Sequence, residues 1–227
     1  MDPFEVATNF LNSINSNDFA PLLNTNNNVV SVIQKGKKNT YNVLERSKEI
    51  DAVIARAVKV VLDSHNKNSD DVKGVLYMLF RFKEDGNPIS NKIPLYLGKT
   101  SRYGKVNRLN SLFNSPNSKP RWDYAKNGNY HLSGLSSTVC FGYEEKDKDI
   151  GKISWAKSMF MEFPSHTPIL KFKPYLWFRP WTTSDVSIVK ELGHVSLHLE
   201  ELILIEILSK AFPKDLLNKA DTDKRFL

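Results

Sequence analysis

Residues 74–100, GVLYMLFRFKEDGNPISNKIPLYLGKT, constrain the fold more than any other part of the chain. Two runs rich in strand formers, GVLYMLFRF and IPLYLG, flank the polar linker EDGNPISN, whose Asp-Gly and Asn-Pro pairs carry the turn chemistry that reverses a chain. An antiparallel hairpin is expected. Each strand holds one tyrosine among aliphatic residues, Tyr77 on the first and Tyr96 on the second. Two such tyrosines are either core packing with satisfied hydroxyls or phenols placed for chemistry. The rest of the chain has to choose between them.

At 227 residues, with 41% hydrophobic and 25% charged, the chain is large enough to bury a core and suits one enlarged domain. In residues 43–64, apolar side chains at Ile50, Val53, Ile54, Ala57 and Val61 have helical spacing and predict a packed accessory helix. The asparagine-rich opening NSINSNDFAPLLNTNNN reads as loop-like, because Asn and Asp side chains compete for backbone hydrogen bonds. Val106, Leu109, Leu112 and Phe113 predict a further helix beginning near Gly104, SSTVCFGY over residues 136–143 a third strand, and SLHLEELILIEILSKAF the last helix. The fold class is therefore α+β, with a small central three-stranded, mostly antiparallel sheet flanked by helices. Residues 1–70 form an N-terminal arm, and residues 71–227 form the main domain with an insertion at about 144–190.

Lysine and arginine number 32 against 25 acidic residues, a net charge of +7 with a pI near 9.3, which favours a polyanionic partner. Three basic clusters interleave aromatics: residues 98–108, KPRW, and KFKPYLWFRPW over residues 171–181. Lys99, Arg102, Lys105, Lys171, Lys173 and Arg179 are the candidate DNA contacts, with Arg179 braced by Phe178 and Trp181 for a guanine edge. The plainer alternative pairs Arg179 with Asp185 or Glu191 and lets Trp177, Phe178 and Trp181 fill a small core. Cys140 stands alone, which leaves neither an internal disulfide nor a zinc quartet. No apolar run approaches the roughly 18 residues of a membrane helix, and MDPFEVATNF lacks the basic start and apolar centre of a signal peptide. A cytoplasmic location and no membrane partner are expected. The five histidines show no paired metal spacing.

Glu200 is the most informative polar residue of the last helix. At about 100° per residue, Leu197, Ile203, Leu204, Ile207 and Ala211 surround it, so it sits within the core-facing stripe. A carboxylate there needs a cation, a metal or hydrogen bonds.

These pieces together resemble the GIY-YIG nuclease family. Val75-Leu76-Tyr77 stands for the first motif and Tyr96-Leu97-Gly98, followed by Lys99-Thr100, for the second; Arg108 matches the family arginine, Glu200 the family glutamate, and Pro213 and Asn218 the closing proline and asparagine. The resemblance covers roughly residues 74–113 and 197–218. Val-Leu replaces Gly-Ile before Tyr77, and Leu112 stands where many members carry a histidine. The resemblance implies a divalent-metal endonuclease, most like a stand-alone type II restriction enzyme cutting double-stranded DNA as a homodimer or higher assembly. It implies Glu200, or its neighbour Glu201, as ligand of Mg²⁺ or Mn²⁺, Arg108 as a phosphate fork, Tyr77 as general base and Tyr96 as its partner on the nucleophile or phosphate. A structure-specific or mobile-element nuclease of the same family, and a non-catalytic basic DNA-binding protein, are the alternatives.

Overall fold

The computed structural model describes residues 2–35, 41–83, 91–104, 109–110, 113, 132–143 and 152–218. In chain order the elements are α1 (Pro3–Ser13), β1 (Phe19–Pro21), β2 (Thr25–Asn26), β3 (Val29–Val30), β4 (Val32–Lys35), β5 (Tyr41–Leu44), α2 (Lys48–Asn66), β6 (Val72–Phe82), β7 (Lys92–Ser101), α3 (Leu132–Val139), α4 (Ile153–Met159), β8 (Tyr175–Thr182) and α5 (Leu197–Ala211). Ser47 and Ser196 cap α2 and α5 by accepting the backbone N–H three residues on, which satisfies donors that the first helical turn leaves orphaned. Both helices therefore start where an apolar stripe starts.

The main sheet has four antiparallel strands in the order β1-β8-β6-β7. β6 lies inside the sheet and is covered on both faces, which is why VLYMLF is continuously apolar rather than alternating. On one face Val75, Tyr77, Leu79, Leu176 and Phe178 join a core built with α2, α3 and α4. On the other, Leu76, Met78, Phe80, Leu97, Trp177 and Trp181 pack with α1 and α5. The sheet thus separates two apolar layers.

The hairpin and the α2 and α5 helices lie where the residue pattern puts them, while three expectations change. Residues 136–143 do not supply a strand; α3 occupies residues 132–139 instead. The hydroxyls of Ser136, Ser137 and Thr138 donate to carbonyls three or four residues back, which satisfies these polar groups within a helix. Ser136 Oγ also accepts from Leu44 N–H at 3.1 Å and so ties α3 to β5. The third place in the sheet goes to β8, within the segment expected as a DNA-reading insertion, and β1, from the asparagine-rich opening, adds a fourth strand. Trp177, Phe178 and Trp181 are 3%, 1% and 4% exposed. They are core residues of a strand. The expected arm likewise contributes β1 to the sheet edge, α1 to one face and α2 to the other. The helix expected near Gly104 lies largely outside the described residues.

Candidate functional site

Cross-strand register explains the two tyrosine motifs. Tyr77 on β6 stands opposite Gly98 on β7, and a Cβ added at Gly98 would lie 2.5 Å from the Tyr77 hydroxyl and 2.6 Å from its Cζ. Only glycine lets the phenol lie across the neighbouring strand. Tyr96 shares that face and stacks on Tyr77 with centroids 6.3 Å apart, and Phe178 of β8 stacks on the other side at 6.0 Å. The three rings form a ladder across β7, β6 and β8. Tyr77 is 2% exposed and Tyr96 half-buried, so Tyr96 is the ring nearer solvent.

Beyond Tyr96 the ladder continues into α4. Trp155 packs against Tyr96 at 4.8 Å, and Lys152 Nζ lies 4.2 Å from the Trp155 ring centroid. Lys171, exposed, donates to the Lys157 carbonyl at 2.7 Å and adds its charge beside the same helix. Sequence reading missed Lys152 and Trp155, because neither belongs to a motif and α4 is only seven residues long. The basic-aromatic interleaving sought elsewhere is the signal that finds them.

Asn218 closes the site from the far end of the chain. Its Oδ1 accepts from Leu97 N–H at 2.8 Å and its Nδ2 donates to Leu97 C=O at 2.7 Å, with the residue 3% exposed. β7 is an edge strand, and this amide replaces the strand partner that Leu97 lacks. The last piece of the sequence pattern therefore grips the middle residue of the second motif.

Glu200 is not part of this group. It is 2% exposed on the α5 face and lines a cavity with Leu76 and Leu204, so the sheet stands between it and Tyr77. The reason is the pleat: Leu76 and Tyr77 are consecutive on β6 and point to opposite faces. Burial pushes the Glu200 carboxyl above the ordinary carboxylate range, opposed by hydrogen bonds from Ser187 and Ile188 N–H and by the Arg179 charge. Glu200 Oε1 accepts from Ile188 N–H at 3.0 Å, and Oε2 has no partner. Glu201, the alternative metal ligand, also lies on the α5 side, with Oε2 3.5 Å from His198 Nδ1 and 4.0 Å from Lys99 Nζ. Among the described residues no group of three or more His, Cys, Asp or Glu side chains could hold a metal ion. A carboxyl on the opposite face of the sheet, with a guanidinium beside it, does not fit a divalent cation working next to Tyr77.

The remaining candidates divide. Arg108 and Lys105 lie outside the described residues. Arg102 is 1% exposed and its guanidinium donates to Ser64 Oγ and to the Ser69 and Val72 carbonyls, so it staples α2 to the start of β6 and does not face a phosphate. Arg179 pairs with Asp185, whose other oxygen accepts from Thr182 N–H and Oγ1, so the plainer role holds and the guanidinium organises the turn after β8. Lys99 donates to Ser101 Oγ and faces Glu201. Lys171 and Lys173 remain exposed. Among the described residues no helix is long and apolar enough to cross a membrane.

Comparison with family models, with curated proteins and with solved structures returns no match.

Proposed function

We propose that the protein is a phosphodiester hydrolase of the GIY-YIG kind acting on double-stranded DNA. The observation that carries this reading is the grip of Asn218 on Leu97: residues 121 positions apart, each belonging to the resemblance, meet in one buried pair of hydrogen bonds. The crossing of Tyr77 over Gly98 supports it from the other side of the same strand. In this reading the scissile phosphate approaches the tyrosine face at Tyr96, beside helix α4, where Lys152 and Lys171 are sources of positive charge. A phenol serves as base only when nearby cations favour phenolate, since its free pKa is about 10. The ring closest to both solvent and Lys152 is Tyr96, so Tyr96 takes the nucleophile's proton and Tyr77 positions it. Glu200 has no role on this face. Sequence-specific restriction by a homodimer or higher assembly is the finer form of the proposal.

A second reading, nucleic-acid binding without hydrolysis, is favoured by the burial of Tyr77 and by the sheet standing between the tyrosines and Glu200. Incubation with supercoiled plasmid and Mg²⁺ separates the two. Discrete fragments are expected, and Tyr96→Phe lowers the cleavage rate on the order of a hundredfold, the size of a lost general base, while duplex retardation stays unchanged. Junction-directed cutting marks a structure-specific nuclease. Retardation with no cleavage leaves the second reading standing.

A further inference from the structure

Residues 152–175 hold four lysines, Lys152, Lys157, Lys171 and Lys173, and one acidic residue, Glu162. The fold brings the lysines to one element. Phe160, at the end of α4, bridges to Leu170, and Lys171 N–H donates to the Met159 carbonyl at 2.9 Å, so the chain returns to the C-terminal end of the helix. There Lys171 Nζ donates to the Lys157 carbonyl. At the other end Lys152 lies over Trp155, the ring that packs on Tyr96. The positive charge therefore starts beside Tyr96 and continues past the far end of α4.

The helix turns Trp155, Ala156 and Met159 inward. Its other side presents Ser154 and Lys157, both exposed, with Ser158 half-buried between them and the solvent-facing turn. Spacings of three and four residues put these three on one face. Hydroxyls and ammonium groups are the side chains that meet phosphate oxygens in protein–DNA complexes. Lys157, Lys171 and Lys173 are exposed, and among the described residues no carboxylate pairs with them, as Asp63, Asp70 and Glu206 pair with Lys59, Lys73 and Lys210. Their charge is left for a partner.

Length indicates how much of a partner fits. Seven helical residues rise about 10 Å and residues 171–173 add at most about 7 Å, roughly 17 Å in all. One strand of a duplex places about five phosphates over that distance. We propose that the solvent-facing side of α4, continued by Lys171 and Lys173, is a phosphate track that holds one strand of duplex DNA leading away from Tyr96. The track rests on the reading that the protein acts on DNA at its tyrosine face. Contacts of this kind position a duplex and carry no sequence information.

The test is fluorescence anisotropy of the full chain with a labelled duplex, without divalent metal, over a series of KCl concentrations. Lys157→Ala, Lys171→Ala and Lys173→Ala should each lower the slope of log K against log salt by about 0.9, and the triple variant by about 2.7, equally for two unrelated sequences. Ser154→Glu keeps every lysine and puts an anion on the same helix face, and should weaken binding by about tenfold. Lys190→Ala removes an equal charge from the α5 side of the sheet and should leave the slope unchanged. Duplex binding whose slope survives the triple variant and whose affinity survives Ser154→Glu overturns the track while the DNA reading stands. A loss as large in Lys190→Ala shows diffuse attraction to net charge and overturns it too. Absence of duplex binding at low salt overturns both, whereas the expected slopes without plasmid cleavage support the track and remove the hydrolase reading.

Discussion

The two faces of the main sheet differ in how they treat polar atoms. On the face under α2, the ladder of Tyr96, Tyr77 and Phe178 is ring against ring, with Gly98 vacated for the Tyr77 phenol. On the face under α1 and α5, the aromatic residues Phe10, Trp177 and Trp181 line a cavity, and Glu200 Oε2 and Trp177 Nε1 are buried in the same layer without a hydrogen-bond partner. The first face resembles an optimised core. The second leaves buried polar atoms and a cavity within its packing. Close packing rewards every added contact, whereas a cavity forfeits the contacts of its lining. The difference therefore predicts that the two faces respond differently to truncation.

The sharpest way to break this comparison is to truncate one residue on each face. Phe178→Ala removes the end of the ladder and should cost about 3–5 kcal/mol in urea unfolding, the range for a buried phenylalanine. Leu204→Ala, beside an existing cavity, should cost nearer to about 2 kcal/mol, the low end for leucine. Equal costs would mean that the two faces are packed alike.

Next in size is Asn218→Ala, which orphans the N–H and C=O of Leu97 on an edge strand. About 2–3 kcal/mol is expected, less than two full desolvation penalties because water can approach an edge. Faster hydrogen exchange at Leu97 N–H should accompany it.

A smaller effect tests the polar interior of the second face through pH. Burial, the leading cause, raises the folded-state carboxyl of Glu200, reinforced by Asp185 and opposed by Ser187, Ile188 N–H and Arg179. With the folded value above the unfolded one, the native state holds more protons in the interval between them, so stability falls as pH rises through it. Glu200→Gln carries no such penalty. The melting temperature of the variant should gain on that of the wild type between acid and neutral pH, and a constant gap would show that the carboxyl is solvated.

The smallest effect concerns the turn after β8. Arg179→Ala breaks a half-exposed pair and should cost about 1 kcal/mol or less, a drop of roughly 2–4 °C for a chain of this size. Discrimination between duplex sequences should not change. A loss of discrimination would return Arg179 to the DNA-contact set.

Local sequence reached some elements and missed others for identifiable reasons. The hairpin was legible because Asp-Gly and Asn-Pro separate two strand-forming runs, and α2 and α5 because their apolar residues recur at helical spacing. α3 was not, because SSTV has strand composition and becomes helical through hydroxyl bonds to carbonyls one turn back and through Ser136 reaching β5. The place of β8 inside the sheet was not legible, because buried aromatics between cations look the same in one dimension as exposed ones.

The site divides along the same line. The residues of the tyrosine motifs, the spacing that sets Tyr77 against Gly98, and the closing asparagine are all properties of the sequence, since hairpin register follows from local turn and strand chemistry. Which face each side chain occupies relative to a helix more than 100 residues away is not. α5 packs over Leu76 and Leu97, on the face opposite Tyr77, and that choice places Glu200 in a cavity instead of beside the tyrosines. Helical periodicity shows only that Glu200 points inward; which of two interiors it enters depends on which side of the sheet the helix lies, and only long-range packing decides that.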